Sequence, residues 1–329
     1  MNHIRTFLMA ASCLALMIFA SGCEKKQPTK EDAKKITSVR FYSRSITVVE
    51  KDNQTKLSIL VNYKEYDTPR KLGLKFKSSD ENLITIDEDG VINAKEAGDA
   101  KLSLLYQDGE NICTDTIKVQ IDLYFQTGIN DYVTGIWDKN NDGHLSLQEA
   151  ANVTHIGEQC KCHTKGDVKF KGMKDLDYVF LYYGGGIIDF SENPNLRRFY
   201  INPLYYYHDD DVPEKDIVEV EFNPNSPKLE CIQIFTDERI NHVKVSNYEN
   251  CTALTVFQIL SSCDMDIIDL SRCHQIAFLI LPDFNGTLYL SPETFQLYTE
   301  HNWESEKRNF SDDYFVKVNP EANVVVKIQ

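Results

Sequence analysis

The chain has no excess of positive charge, no apolar run long enough to cross a membrane, and none of the short signatures of common catalytic sites. Lys and Arg number 35 against 50 Asp and Glu, a formal net charge of −15 at neutral pH. A balance this acidic argues against binding nucleic acid or anionic lipid through bulk electrostatics, and it suits solubility and divalent cations. No G-x-S-x-G turn, no phosphate-binding P-loop, no H-E-x-x-H helix and no convincing Cys–His pair occurs. The chain is therefore expected not to be an enzyme. One enzymatic alternative stays open, because two carboxylates roughly 5–9.5 Å apart are enough for glycoside hydrolysis. Nine cysteines are present, but their spacing suggests no disulfide framework.

What the N-terminus does contain is an address. Arg5 gives a positive start, and Phe7 to Ala20 is an apolar run of 14 residues, short of the roughly 20 that a spanning helix needs but right for a secretory segment. It ends in Ala20-Ser21-Gly22-Cys23, which resembles the bacterial lipobox. That resemblance implies removal of residues 1–22 as a lipoprotein signal peptide and lipidation of Cys23. Acyl chains bury at roughly 0.8 kcal/mol per CH₂, so the expected location is the bacterial outer membrane, lipid-anchored and facing the periplasm or the cell surface. Residues 23–35 are polar and charged and are expected to form a tether. Losing Cys13 and lipidating Cys23 leaves Cys113, Cys160, Cys162, Cys231, Cys251, Cys263 and Cys273, an odd number with at least one free thiol.

Residues 36–122 alternate short β-branched runs with turn signals such as Asp89-Gly90 and Gln107-Asp108-Gly109. Seven or eight strands in so short a stretch predict a β-sandwich. The segment from Ser78-Ser79 through Ile86-Asp87, Gly90-Val91 and Ala94 to Gly98 resembles the group 2 bacterial immunoglobulin-like domain, with Phe76 standing where that family usually carries Trp. The resemblance implies a stalk that lifts another domain off the membrane.

Residues 123–156 carry a loop of EF-hand register. Asp138, Asn140 and Asp142 stand at positions 1, 3 and 5, Gly143 at 6, His144 at 7, Ser146 at 9 and Glu149 at 12. A hard cation wants six to eight oxygens, and this segment offers them locally, His144 through its backbone carbonyl. Phe125, Ile129, Val133 and Ile136 recur at helical spacing before the loop, and Gln148 to Val153 can form a helix after it. The expected cofactor is a structural Ca²⁺ that stiffens the joint between modules. A single loop argues against a calcium switch.

Residues 157–290 repeat an apolar-x-x-apolar-x-apolar phrase five times, starting at Leu176, Leu196, Leu229, Leu254 and Ile276. A period in the twenties means stacked units that bury their apolar edges against one another. With turns such as Asp189 to Asn195, and with the calcium-like segment Asp138 to Ala150 ahead of them, these phrases resemble the leucine-rich repeats of Bacteroidetes surface lipoproteins. Residues 291–329 lose the repeat and are expected to cap it. The expected fold class is thus multidomain: an all-β immunoglobulin-like sandwich, an EF-hand-like helix-loop-helix and an irregular leucine-rich-repeat solenoid.

The positions between the inward residues predict an outward face rich in aromatic and amide side chains. Candidate ligand contacts on it are Tyr178, Phe180, Tyr182, Arg198, Tyr200, Gln233, Phe235 and Gln258. Two further clusters are weaker candidates: the Tyr205 to Asp211 insertion, and Cys160-x-Cys162-His163, whose spacing does not match a zinc site. The expected function is a non-enzymatic binding or adhesion module for an unidentified protein or glycan. The alternatives are a glycan-processing enzyme or accessory glycan-binding protein, and a purely architectural envelope component.

Overall fold

The computed structural model of the chain describes residues 36–66, 69–125, 127–157, 163–203, 217–236, 242–260, 263–301 and 315–328. Two compact units divide them. One comprises residues 36–46, Asn53–Asn93 and Lys101–Lys118; the other comprises Thr47–Asp52, Ala94–Ala100 and residues 119–328.

The first unit is built from antiparallel pairs. Strands β1 (Val39–Phe41), β3 (Ile59–Val61) and β4 (Lys64–Tyr66) form a three-stranded sheet in that order. A second sheet has the order β2 (Ser45–Val49), β9 (Asn111–Asp122), β8 (Gly98–Asp108), β5 (Lys75–Ser78). Strands β6 (Ile84–Ile86) and β7 (Ile92–Ala94) pair separately. Alternation decides which side chains enter the core: along β8, Leu102 and Leu104 are fully buried while Lys101 and Ser103 face out. Phe41, Ile59, Ile84 and Ile92 complete that core.

The second unit begins with helix α1 (Thr127–Trp137) and the single turn α2 (Leu147–Ala150), and then becomes almost entirely parallel sheet. One sheet runs from β10 (His155–Ile156) through β13 (Tyr178–Tyr183), β15 (Arg198–Pro203), β17 (Cys231–Phe235), β19 (Val256–Leu260) and β21 (Phe278–Leu281) to β23 (Phe315–Val318), with β11 (His163–Thr164) also pairing β13. The intervening strands build the opposite wall. There β12 (Val168–Lys169), β14 (Gly186–Phe190), β16 (Ile217–Phe222) and β18 (His242–Ser246) form one sheet, and β20 (Ile267–Leu270), β22 (Thr287–Leu290) and β24 (Asn323–Val326) another. The Val243–Cys263 bridge continues the ladder beyond β18. Helix α3 (Pro292–His301) packs beside β22 and β23.

Register makes the core. Val179, Phe199, Ile232, Phe257, Leu279 and Val316 lie opposite one another across successive strands, and each is buried. Facing them are Ile188, Val220 and Val245 in one file and Phe190 and Phe222 in another. Phe170, Phe190 and Phe222 stack with ring centroids 4.9 and 5.7 Å apart, and the Phe199 ring meets Phe190 and Phe222 edge-on at 5.0 and 5.7 Å. Such aromatic pairs are worth about 0.5–1.5 kcal/mol each beyond area burial. The residue after each phrase's first anchor joins a backbone ladder, in which the N–H groups of Arg197, Glu230, Thr255 and Ala277 donate to Asp177, Arg197, Glu230 and Thr255. The corners are just as ordered. Asn193, Ser226, Cys251 and Cys273 each sit three residues before an anchor and are buried. Asn193 Nδ2 donates to the carbonyls of Phe170 and Met173, both at 2.9 Å. Cys251 and Cys273 are free thiols, with Cys273 Sγ donating to the Cys251 carbonyl at 3.4 Å. Gly186 (φ +123°) is required where it stands, because a Cβ there would lie 2.6 Å from the Gly166 backbone.

The fold class expected from the sequence needs correction. Among the described residues strand accounts for 46 % and the α-helices are three short ones, and neither an EF-hand helix-loop-helix nor a leucine-rich solenoid is shown. Only one turn, α2, follows the loop, because Val153 and Ile156 are fully buried and β10 already begins at His155. The polar turns form, but each follows a second strand that joins an opposing sheet: β14 ends at Phe190, β18 at Ser246 and β20 at Leu270. In β16, Val218, Val220 and Phe222 point inward while Glu219 and Glu221 alternate outward. In α1 the inward face is Ile129, Val133 and Trp137, and Ile136 is 54 % exposed. The i, i+4, i+8 stripe decides which residues face in, and Ile136 lies off it.

Phe199→Ala is expected to cost about 3–5 kcal/mol in urea unfolding, while Phe180→Ala on the outward side of the neighbouring strand costs about 1 kcal/mol. Equal losses for the two would contradict the inward register.

Candidate functional site

Three places carry side chains arranged for more than packing, all within the second unit. The first is the Asp138–Glu149 loop. Asp138 accepts from the backbone N–H of Asn141 (2.6 Å) and of Gly143 (2.9 Å). Asp142 accepts from the His144 N–H (3.1 Å) and from Asn140 Nδ2 (2.9 Å), and its own N–H donates to Asn140 Oδ1. The turn needs left-handed backbone at Asn141 (φ +59°) and Gly143 (φ +87°), residue types that tolerate it. Glu149 closes a capping box: its carboxylate accepts from Ser146 N–H, Ser146 Oγ and Lys139 N–H at 2.8–3.0 Å, and Ser146 Oγ accepts from Glu149 N–H. A cap of this kind is worth about 1 kcal/mol. Burial opposes the charge on Glu149, yet the hydrogen bonds from Ser146, Lys139 and Asn140 outweigh it and lower the carboxyl below its usual range. The loop is pinned from outside by the Leu123–Leu145 bridge and by Asn130 Nδ2, which donates to the Gly143 carbonyl at 3.1 Å.

Among the described residues, no three His, Cys, Asp or Glu side chains are gathered in position to hold a metal ion. The six sequence-predicted ligands lie together on one loop, but their carboxylates accept from the loop's own N–H groups. One observation does fit a cation. Asp122, at the end of β9, is fully buried; Gln120 Nε2 donates to its Oδ1 at 2.8 Å, and Oδ2 is buried with no hydrogen-bond partner. Burial pushes the Asp122 carboxyl up, and the neighbouring carboxylates of Asp142 and Glu149 push it the same way against the Gln120 hydrogen bond. The sequence offered no signal for Asp122, which lies outside the loop's spacing.

The second place is the outward face of the long parallel sheet. Tyr178, Phe180 and Tyr200 are half-buried, and the Tyr200 ring meets both others, with ring centroids 5.5 Å apart for Tyr178–Tyr200 and 6.1 Å for Phe180–Tyr200. Phe180 also meets Tyr182 edge-on at 5.5 Å. Register places Phe180, Tyr200, Gln233, Gln258 and Ile280 in one file, where Gln233 Nε2 donates to Gln258 Oε1. Tyr182 (8 % exposed) and Gln258 (7 %) are buried, so neither lies open to solvent. Burial pushes the Tyr200 phenol up, with Cys231 hydrogen-bonded to it. Phe235 is half-buried, while Arg198 is exposed with its Nε 3.8 Å from Glu230. Arg197, unremarked in the sequence, forms a bidentate pair with Glu230 at 3.0 and 3.2 Å.

The third is a cleft of about 580 Å³ around the exposed Tyr124. Two of its lysines are held by acids: Lys171 reaches Glu50 (3.5 Å) and Glu96 (3.3 Å), and Lys169 reaches Asp189 (3.4 Å) and Glu192 (3.2 Å). Lys51 Nζ sits 4.3 Å over the Tyr124 ring.

Cys23 with residues 1–35, Cys160 and Cys162, and the Tyr205 to Asp211 insertion lie outside the described residues. Comparison with protein-family models gives no match to this chain, and no curated protein matches it either.

Proposed function

We propose that this chain is a non-enzymatic binding module of the bacterial cell envelope, taking a glycan on the outward face of its long parallel sheet. The observation that carries the reading is the aromatic group in which Tyr200 meets both Tyr178 and Phe180, with Phe180 and Tyr200 followed in their file by the Gln233–Gln258 amide pair. Flat rings set side by side present π-faces on which the C–H faces of a sugar ring pack. Gln233, half-buried at their margin and held by its bond to the buried Gln258, supplies an amide for hydroxyl groups. A rigid sheet fixes these groups in place, so little ordering entropy is lost on binding. Val256, Phe278 and Ile280, half-buried on the same face, favour a protein ligand as the second reading.

A calcium ion in the Asp138–Glu149 loop belongs to this reading as a structural ion. Asp138, Asn140, Asp142, Ser146 and Glu149 would hold it through oxygen atoms, with the His144 carbonyl. Each carboxylate oxygen that accepts one N–H keeps a lone pair for a hard cation. Lipid on Cys23 would tether the whole, on the strength of the apolar run and the Ala20-Ser21-Gly22-Cys23 sequence.

On an array of neutral and acidic polysaccharides, the protein is expected to retain at least one glycan class. Tyr178→Ala and Phe180→Ala should each weaken that binding at least tenfold with an unchanged circular-dichroism spectrum. No retention of any glycan would sink the glycan reading. Separately, Cys23→Ser is expected to move the protein from the membrane to the soluble fraction, and full retention in the membrane would remove the anchor.

A further inference from the structure

We infer that the cation site is completed from outside the loop: Asp122, at the end of β9, is a further ligand, so that one ion ties this strand to the Asp138–Glu149 loop. The inference rests on the calcium reading above and goes beyond the register of the loop.

The first ground is the state of Asp122 itself. It is a fully buried carboxylate with one oxygen satisfied by Gln120 and the other without a partner. An ionised carboxylate out of water is expensive unless paired or bound to a metal. Among the described residues no cationic side chain forms an ion pair with it. Two more carboxylates, Asp142 and Glu149, act on it with like charge, and the Asp142 carboxyl lies within hydrogen-bonding reach of it. Three acids that repel one another are a poor structural cluster, and a divalent cation among them turns each repulsion into attraction.

The second ground is how the backbone delivers it. Leu123 and Leu145 form an antiparallel bridge, with Leu123 N–H donating to the Leu145 carbonyl at 2.8 Å. Antiparallel pairing then sets Asp122 opposite Ser146, three residues before Glu149. Both leucines are buried, and Asn130 holds the Gly143 carbonyl from the other side. The bridge fixes the position of Asp122 before any ion arrives. A carboxylate held in this way adds charge and rigidity to the site, the two properties that set calcium affinity.

The experiment is calorimetric titration of CaCl₂ into the full chain, comparing the native sequence with Asp122→Asn and Glu149→Gln, together with melts in EDTA and in calcium. Asparagine keeps the shape and the Gln120 hydrogen bond while removing the charge. Asp122→Asn is expected to weaken calcium binding at least tenfold and to shrink the calcium-induced rise in Tm. In EDTA its Tm should equal or exceed that of the native chain, because an unpaired buried charge has gone. If Glu149→Gln abolishes binding but Asp122→Asn binds as tightly as the native chain, Asp122 is not a ligand and only the loop reading survives. A Tm lowered equally in EDTA and in calcium would make Asp122 purely structural and overturn the inference. No calcium uptake by the native chain up to millimolar concentration would remove both readings together.

Discussion

The second unit depends on one constraint: apolar side chains one residue apart in alternation must land on those of the next strand, with no shift in register. No single rung has enough apolar surface to hold itself together, because each contributes only a few inward residues from each wall. Val179, Phe199, Ile232, Phe257, Leu279 and Val316 leave water only because parallel pairing sets them in one file. A slip of one residue in any strand would turn that rung's core outward. Corner residues respond to the same constraint. Asn193, Cys251 and Cys273 are buried at equivalent positions, and they satisfy backbone carbonyls or occupy small volumes. Burial raises the Cys251 and Cys273 thiols to about 12, so they remain protonated, packed groups rather than nucleophiles.

The candidate sites are by-products of this order. Because the residues of the long sheet alternate, those left over on its outward side form their own files, and an aromatic group and an amide pair arise side by side on the strands. The calcium-type loop sits before the first rungs, where α1 buries Ile129 and Val133 against the same core. Its acids are held by local turns and one capping box, and the Leu123–Leu145 bridge ties it to the end of β9. The candidate face and the loop therefore belong to one unit.

The sequence announced the long sheet because its five phrases repeat visibly, and the first anchors at Leu196, Leu229, Leu254 and Ile276 lie one residue before a continuous backbone ladder. It hid the opposing wall. Strands such as Ile217–Phe222 and His242–Ser246 are short, alternate with charged residues and follow gaps of unequal length, so they read as turns or insertions. That difference separates a two-walled parallel stack from the expected leucine-rich solenoid. That the residues from Asp138 to Glu149 form one turn closed by a capping box was legible, since those hydrogen bonds are local. The short helix expected after it stops at the single turn Leu147–Ala150, because the pull of Val153 and Ile156 into the core is a tertiary effect that no local pattern records. Asp122 was invisible for the same reason: its meaning comes from the Leu123–Leu145 bridge. Tyr182 and Gln258 lie on the outward side as alternation requires, but their burial could not be read from a period of two.

Amide hydrogen exchange on the full chain tests the central constraint most directly. If the stack coheres through its neighbours, the amides of Phe199, Ile232 and Phe257 should exchange only through a shared opening, with one free energy common to all three strands. Rapid exchange in any one of these strands, independent of the other two, would mean that the rungs do not hold one another in place.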